Sequence, residues 1–163
     1  MAGVFSSLHG VATLQDQTGT PISVSLAPGE GNFSLSGLEE AGREAVAYQN
    51  RLTFQELLQG AEKEITGSIT IAHEGTVTDA ATNKPYDGMA KKGTFAAGVT
   101  ADPGGLVWTT DIVFVTTRNA VAVTFTCNNC RVSMDYAEGA EGNLMTINFT
   151  AFGTGTGNQV VVT

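Results

Sequence analysis

Residues 135–153 read DYAEGAEGNLMTINFTAFG and couple an acidic, glycine-containing turn to a run in which apolar and polar residues alternate. A period of two is typical of a β-strand with one face in a core, because successive side chains point to opposite sides of a sheet. The glycines before the run tolerate the backbone angles of a tight reversal. The stretch therefore predicts a hairpin whose second strand buries Met145, Ile147 and Phe149 and turns Leu144, Thr146, Asn148 and Thr150 away from the core.

The same alternation recurs along the chain. It is clearest in residues 22–26, 33–36, 68–71, 121–126 and 130–135. Turn-forming sequences separate these segments, namely DQTG, APGEGN, DPGG, RNA, CNNC and AEGAEGN. Roughly seven or eight short strands with short connections indicate an all-β domain, an antiparallel β-sandwich or partial barrel.

One segment, NKPYDGMAKKG, predicts a short α-helix. Pro85 suits a first helical turn, the lysine pair at 91–92 suits the carbonyl end, and Gly93 can take the left-handed conformation that ends a helix. Gly88 lowers helix propensity, so only about two turns are expected.

Residues 38–65 interrupt the alternation and concentrate charge. Phe54, Leu57 and Leu58 allow a short helical face there, and the rest of the segment fits neither period. A connection of this length inside a compact domain is usually functional. We interpret it as an excursion that packs on another subunit, and a solvated loop is the alternative.

The rest of the chain predicts a single domain over residues 1–153, followed by a glycine- and threonine-rich extension over 154–163. The extension leads to a last short apolar strand that could pair with a neighbouring chain. The first ten residues, MAGVFSSLHG, contain neither a basic leader nor a long apolar run, so we expect neither a secretion signal nor a membrane span. Folding in a cytosol is the corresponding expectation.

The charge balance argues against tight nucleic-acid binding. Sixteen acidic and eight basic residues give a formal net charge of −8. Affinity for phosphates comes from lysine and arginine displacing counterions, and few are present here. An acidic surface instead repels DNA.

Catalytic and metal-binding patterns are not found. His9 and His73 are isolated, and there is neither a GxSxG nor a phosphate-binding glycine loop. Cys127 and Cys130 form a CxxC pair, but structural zinc needs four ligands and a redox CxxC normally opens a helix. We interpret them as two reduced thiols near a turn. The sequence therefore predicts a protein that is not an enzyme and has no cofactor or metal.

The order of the segments is more informative than any single motif. A strand pair is followed by the charged connection, then TGSITI, KPYDGMAKKGTF, two apolar strands and CRVSMDYAEGAEGNLMTINFTAFG. In this order the chain resembles the major tail tube proteins of bacteriophages with long, non-contractile, siphovirus-type tails. The resemblance spans residues 11–153, is sharpest in 67–71, 85–95 and 130–153, and does not extend to the segment after Gly153.

The resemblance implies a β-sandwich whose copies form hexameric rings by continuing their sheets around a lumen, with the rings stacked into a tube. Partners would be the protein itself, the tape measure protein, the tail terminator and the distal tail protein. DNA would pass through an acidic lumen without specific binding. The protein would be assembled in the bacterial host cytoplasm and reside in the virion tail.

In this family a long loop reaches the adjacent ring, a role that falls here to residues 38–65. Arg43, Tyr48, Arg51 and Phe54 are the expected inter-subunit contacts, because arginine and aromatic side chains supply most interface energy. Packing within the subunit is the alternative for these residues.

Two other functions are compatible with the sequence. One is the tube protein of a contractile injection system, which shares the fold. The other is a monomeric β-sandwich that binds to or decorates a virion. Such a module needs an exposed aromatic platform, and Trp108 is the only tryptophan.

Overall fold

The computed structural model describes residues 10–26, 33–38, 43–50, 53–62, 64–72, 84–100, 107–139, 142–153 and 159–163, with the backbone alone for 43–62. Within these ranges there are ten β-strands, one α-helix and one short 3-10 helix. The strands are β1 (Gly10–Gln15), β2 (Ser23–Leu26), β3 (Phe33–Ser36), β4 (Arg43–Asn50), β5 (Thr53–Glu62), β6 (Ile65–Ala72), β7 (Thr110–Arg118), β8 (Val121–Gly139), β9 (Gly142–Ala151) and β10 (Val160–Val162). The helix α1 is Pro85–Ala90, and the 3-10 helix is Gly93–Ala97. Neither of these described helices is long or apolar enough to cross a bilayer.

Eight strands form one antiparallel sheet in the order β2-β1-β7-β8-β9-β6-β3, with β10 also paired to β8. The long strand β8 belongs to two parts of this sheet. Up to Cys127 it lies between β7 and β10, and from Cys130 onward it pairs with β9. We call β2, β1, β7, the first half of β8 and β10 the first layer. The second layer contains residues 131–139 of β8 together with β9, β6 and β3.

The two layers enclose one hydrophobic core. Alternate residues of each strand point inward, and Leu14, Ile69, Ile112 and Ile147 are almost fully buried. Phe33 of the second layer lies against Phe114 and Phe125 of the first. Contacts across the interior by strands far apart in the sheet order show that the sheet folds over on itself. The predicted all-β sandwich with a single short α-helix is confirmed.

The stretch that opened the sequence argument folds as predicted. Residues 142–151 form β9, which pairs with β8 through a hairpin closed at Gly139 and Gly142. Ile147 and Phe149 lie in the core, and Met145 packs against it. Leu144 is half exposed on the opposite face. The alternation was sufficient here because one face of the strand is buried throughout.

The prediction that CNNC forms a reversal was wrong. Val121–Gly139 is one strand, and the CNNC segment is a β-bulge within it. The two residue steps along β7 from Thr110 to Ile112 lie opposite three steps along β8, from Cys130 to Cys127. Asn129 has the left-handed backbone conformation, with φ 51°. One extra residue bends a strand without ending it, and asparagine favours both outcomes, so the sequence does not distinguish them.

The predicted helix is present as Pro85–Ala90, with Pro85 at its start. Its capping residue was predicted wrongly, because Lys91, and not Gly93, is the left-handed C-cap, with φ 54°. Gly93 also has a positive φ, of 56°, but it begins the 3-10 helix that follows. Gly88 is buried under the side chain of Leu14, where an added Cβ would lie 2.3 Å from Cδ2. This glycine therefore allows the helix to pack closely on β1.

One further expectation needs correction. The helical face suggested around Phe54 was wrong, because Arg43–Asn50 and Thr53–Glu62 pair as an antiparallel hairpin forming a separate two-stranded sheet. The hairpin has an irregular register, which alternation along the sequence does not encode. The last strand, Val160–Val162, pairs with β8 of its own chain, and pairing with a neighbouring chain stays a prediction.

Candidate assembly interface

Among the described residues, the second layer ends in two strand edges that have no partner strand. β3 pairs with β6 and, in the described part of the chain, with no other strand. On the other side of the layer, β7 stops pairing with β8 at Cys130, so one edge of residues 131–139 has no described partner. Unpaired edges present a row of backbone N–H and C=O groups that can accept another strand. In the part of the chain that the structure describes, the layer is therefore open at both ends.

These two edges lack the residues that usually block strand addition. Neither Phe33–Ser36 nor residues 131–139 contain lysine or proline. Arg131 is the only basic residue in either segment, and it lies at the start of the open part of β8. Natural edge strands commonly carry lysine, proline or a strong bulge to prevent pairing with another chain. The two edges are consequently suited to pairing with a strand of another chain.

Most of the outer face of the second layer is polar and carries little charge, and only its last row, Ala72–Leu144–Ala137, is apolar. Because directly opposed residues share a face, the strand register aligns three rows across the layer. The rows are Ser36–Thr66–Thr150–Arg131, Ser34–Ser68–Asn148–Ser133 and Thr70–Thr146–Asp135. A shallow open hollow lies over the first two rows. We call this surface the hydroxyl face.

Hydrogen bonds connect neighbouring strands on the hydroxyl face. The Ser34 and Ser68 hydroxyl oxygens lie 2.9 Å apart, and Asn148 Nδ2 donates to Asp135 Oδ2 at 3.0 Å. Arg131 and Asp135 are the only charged residues in the three rows. Their charges cancel, so the net acidity of the chain does not come from this face. Each polar position was visible in the sequence, but only the strand order brings them onto one surface.

A buried polar network holds the bend in β8 where the two layers meet. The backbone N–H of Asn129 donates to Asp111 Oδ1 at 3.0 Å, and its side-chain Nδ2 donates to the carbonyl oxygen of Gly153. Gln17 Nε2 donates to both Asp111 Oδ1, at 2.6 Å, and Asn129 Oδ1, at 2.5 Å. Asn129 is 2% exposed. The network fixes the direction of residues 131–139 of β8 relative to β7, the end of β9 and the segment that follows β1.

The two cysteines flank this bend as free, buried thiols. Cys130 Sγ donates to the carbonyl oxygen of Cys127 at 3.4 Å. A side-chain hydrogen bond with Cys127, together with burial, raises the pKa of the Cys130 thiol far above its ordinary value. Because only the thiolate is a good nucleophile or metal ligand, Cys130 is poorly suited to chemistry. The interpretation as free thiols is confirmed, although they lie at a bulge and not at a turn.

The four predicted contact residues fall on or beside the β4–β5 hairpin. Arg43 and Tyr48 lie in β4, and Phe54 lies in β5. Arg51 lies outside the described residues. Tyr48 is opposite Glu56 in the register, and Arg43 is opposite Glu62. Tyr48 and Phe54 lie near the turn of the hairpin and Arg43 lies at its other end. Their contact with another subunit stays a prediction.

The described residues contain no group of three or more His, Cys, Asp or Glu side chains that could hold a metal ion. His9 and His73 lie outside the described ranges. The exposed aromatic side chains Tyr86, Tyr136 and Phe152 belong to three different places in the fold: α1, β8 and the end of β9. The Tyr136 hydroxyl donates to Glu138 Oε1 at 2.8 Å, and this bond raises the pKa of Tyr136.

No protein-family model matches this chain, and no curated protein matches its sequence. Solved structures do match its fold. One is a chain of the sheath–tube complex of an extracellular contractile injection system, PVC, in the extended state. It has a TM-score of 0.57 and 12% identity, and the match covers 96% of this chain and 89% of that one.

Two further matches come from terminating structures. A chain of the PVC sheath/tube terminator in the extended state has a TM-score of 0.56 and 13% identity, covering 100% of this chain and 96% of its own. A chain of the tube-terminating cap of the anti-feeding prophage has a TM-score of 0.55 and 15% identity, with coverages of 96% and 89%. At these identities the likeness shows the fold, which this chain shares over nearly its whole length.

Proposed function

We propose that this protein is a structural subunit of a tube, which self-assembles into hexameric rings that stack around a lumen. The observation that supports this most directly is the second layer, which has an apolar inner face, a mostly polar outer face and two edges without a described partner strand. A layer of this kind can continue from one copy to the next without a new type of contact. Repeating one heterologous contact closes a ring if the rotation closes.

The strand directions allow such a continuation. Every pairing within the layer is antiparallel, from β8 through β9 and β6 to β3. With four strands in this alternation, β3 runs opposite to β8. The β3 edge of one copy can therefore form an antiparallel pair with the open β8 edge of the next, extending the same sheet. The apolar inner face of each copy would then remain buried in the core of that same copy.

In this arrangement the hydroxyl face lines the lumen. Serine, threonine and asparagine provide hydration without a strong field, and Arg131 and Asp135 balance each other. DNA would pass such a wall without tight binding, because its affinity depends on clusters of lysine and arginine. The acidic lumen predicted from the net charge of −8 would then need acidic side chains from other segments. Conduction of DNA during ejection is part of the proposal.

The sequence resemblance and the structural likenesses point to two different kinds of particle. The sequence resemblance was to non-contractile phage tails, whereas the matched structures above come from contractile injection systems. We therefore keep both in the proposal: a siphovirus-type tail tube and the tube of a contractile system. Co-sedimentation of assembled tubes with the sheath protein of a contractile injection system separates them, because only the contractile system surrounds its tube with a sheath.

The first test is assembly of the purified protein. Negative-stain microscopy and sedimentation, with a tail initiator added where needed, should show hollow rings or tubes. A strictly monomeric protein at high concentration, even with the initiator, would contradict the proposal and favour a monomeric binding or decoration module. Phe149→Asp should abolish folded, assembly-competent protein, because it places a charge in the core.

The second test concerns the edges. Ser34→Lys with Ser36→Lys places two lysines on exposed positions of β3, where they should block strand addition but leave the fold intact. Ser23→Lys with Ser25→Lys is the matched control, because both serines are exposed on β2, another free edge with the same spacing. We expect the β3 variant to stay monomeric and the β2 variant to assemble. The reverse result would assign ring formation to the first layer.

The β4–β5 hairpin is proposed to contact the adjacent ring. Its separate two-stranded sheet, rich in charge, is consistent with an element that extends to a partner. Replacing Arg43, Tyr48, Arg51 and Phe54 together by alanine should leave single rings that do not stack. Normal tubes from this variant would assign the four side chains to packing within the subunit.

A further inference from the structure

A cleft of about 320 Å³ opens beside β8, at the point where β7 stops pairing with it. Met89 of α1, Val107 and Trp108 of the segment before β7, and Arg131 and Val132 of β8 line it. Several of these residues are apolar, but the surface that the cleft exposes is mostly polar. The cleft is therefore better suited to a polar group than to an apolar side chain.

Two positively charged side chains border the cleft. Arg131 lines it directly and forms no ion pair within the described part of the chain. The ammonium group of Lys91 lies 5.0 Å from the centre of the Trp108 ring, which is part of the cleft wall. A guanidinium group presents N–H donors in a planar fork that matches the two oxygens of a carboxylate. The charge at the cleft therefore favours an anionic ligand.

A buried hydroxyl group in the cleft wall has no partner among the described residues. Thr110 lines the cleft and is 1% exposed, and its Oγ1 makes no hydrogen bond there. Buried hydroxyl groups in folded proteins nearly always have a partner. The next residue, Asp111, is already bonded, because its Oδ1 accepts from Gln17 and from the backbone N–H of Asn129. Thr110 is thus a donor that a ligand could use.

The other polar hydrogens of the cleft wall are occupied within the subunit. Trp108 Nε1 donates to the carbonyl oxygen of Gly88 at 2.7 Å, which holds the indole ring against α1. Cys130, which also lines the cleft, donates its thiol hydrogen to the carbonyl oxygen of Cys127. Among the described side chains that line the cleft, the donors left for a ligand are therefore Arg131 and Thr110. Both suit the oxygens of a carboxylate.

The same strand ends in acidic residues far from the cleft. Residues 131–139 of β8 run from the cleft to the turn of the β8–β9 hairpin. Segment 132–153 contains Asp135, Glu138 and Glu141 and no lysine or arginine. Glu138 is exposed near the turn, seven residues or about 24 Å along the strand from Arg131. A carboxylate from this end can therefore reach the cleft only from another copy.

We infer that the cleft binds a carboxylate side chain and that Glu138 of a copy in the adjacent ring supplies it. The inference rests on the stacked tube proposed above and assigns one contact between its rings. Cleft and acidic turn lie at opposite ends of the second layer, so copies stacked head to tail along the strands bring them together. Arg131 pairs with the incoming carboxylate, Lys91 adds positive charge, and the Thr110 hydroxyl donates to the entering segment.

A charge exchange tests the contact in the assembled protein. Arg131→Glu should weaken ring stacking at least about tenfold, because two carboxylates then face each other. Glu138→Arg should weaken it similarly, because two guanidinium groups then meet. Both substitutions in one chain should restore tubes, since every cleft is then acidic and every hairpin turn basic. Sedimentation and negative-stain microscopy measure tubes against single rings.

Two variants control for the change of charge itself. Lys92→Glu makes the same kind of change beside Lys91, but the Lys92 ammonium lies over the ring of Tyr86 and not over Trp108. Asp135→Arg reverses a charge on the same strand as Glu138, away from the turn. We expect both variants to stack normally. Stacking lost equally in the controls would overturn the contact, because it would report net charge alone.

The exchange separates this inference from the function on which it rests. Normal tubes from Arg131→Glu and from Glu138→Arg would overturn the contact and leave the tube function standing. A combined variant that stacks no better than the single variants would also overturn it. Absence of assembly by the unmodified protein would overturn the proposed function itself.

Thr110→Val tests the hydroxyl group separately. Because Thr110 Oγ1 has no described partner in the subunit, its removal should not lower the melting temperature of the subunit. It should weaken stacking by about two- to tenfold, the effect of one hydrogen bond. A less stable subunit with unchanged stacking would show that the hydroxyl group serves the fold and not the ligand.

Trp108 reports whether a free carboxylate can take the place of the hairpin. It is the only tryptophan of the chain, so its fluorescence responds to entry into the cleft. We expect its emission to shift when unmodified rings stack into tubes. Sodium glutarate added to single rings of Glu138→Arg should bind only weakly, because it lacks the many simultaneous contacts of a ring. Tight, saturable binding of glutarate would assign the cleft to a small carboxylate and overturn Glu138 as its ligand.

Discussion

The rings of Phe33 and Phe114 stack with their centroids 4.1 Å apart and their planes 9° from parallel. Phe33 lies in β3 and Phe114 in β7, which are separated by β8, β9 and β6 in the sheet order. Strands this far apart along a flat sheet would not touch, since neighbouring strands are about 4.8 Å apart. The pair therefore joins the two layers and holds the β3 edge over the core.

A double-mutant cycle measures this connection. Phe33→Ala and Phe114→Ala should each destabilise the protein by about 3 kcal/mol, because each leaves space in the core. The double variant should lose about 0.5–1.5 kcal/mol less than the sum, which is the coupling expected of an aromatic pair. Denaturant unfolding of the four proteins provides the values. Strict additivity would show that the rings do not interact energetically.

Gly67 should tolerate no side chain. A Cβ at this position would lie 2.3 Å from Phe149 Cζ and 2.7 Å from the carbonyl oxygen of Ser34. Gly67→Ala should therefore destabilise the protein by about 1–3 kcal/mol, through displacement of the ring or of β3. Gly19→Ala is the control, because nothing lies within 4 Å of its Cβ position, and it should change stability by less than about 0.5 kcal/mol. Equal melting temperatures for the two variants would refute the close packing.

The bend in β8 should depend on the side chain of Asn129. Asn129 and Asn119 both have left-handed backbones, with φ of 51° and 48°, but Asn129 is buried and Asn119 is exposed in the turn between β7 and β8. Asn119→Ala should cost about 1 kcal/mol for the backbone conformation alone. Asn129→Ala should cost about 2–4 kcal/mol, because it also leaves buried hydrogen-bonding groups unpaired. Chemical denaturation measures both, and similar losses would mean that the buried network contributes nothing.

The cysteines should be unreactive in the folded protein. Because the fold raises the pKa of Cys130, the thiol stays protonated at pH 8 and reacts slowly with iodoacetamide. Unfolding in denaturant should release two fast-reacting thiols. Ser133→Cys, on an exposed position of the same strand, is the control and should react at once in the folded protein. Rapid labelling of the native protein without the added cysteine would contradict the buried placement.

The same pKa shift sets the direction of a pH effect on stability. A thiol whose pKa is raised by folding contributes its full stabilisation below its unfolded pKa, about 8.5. Above that pH the unfolded chain loses the proton while the folded protein keeps it, so stability should fall as pH rises toward the folded pKa. Cys130→Ala should show a smaller decrease in the free energy of unfolding between pH 8 and 10.

The amino-acid sequence alone determined the local elements. Alternation identified β9 and most other strands of the main sheet, and Pro85 located the start of α1. These signals are local. In a strand with one buried face, apolar side chains must recur at every second residue, and a helix must begin at a residue whose backbone fits the first turn. The sequence also indicated the all-β class, and the matched solved structures share that fold.

Tertiary structure alone decided which elements lie together. The bulge at Asn129, the pairing of β10 with its own chain and the hairpin over residues 43–62 all depend on contacts between distant segments. The candidate interface has the same origin. Its hydroxyl face collects side chains from four strands of the second layer. Alternation assigns each residue to one side of its own strand, but the partner strand and its register are set by how the whole core packs.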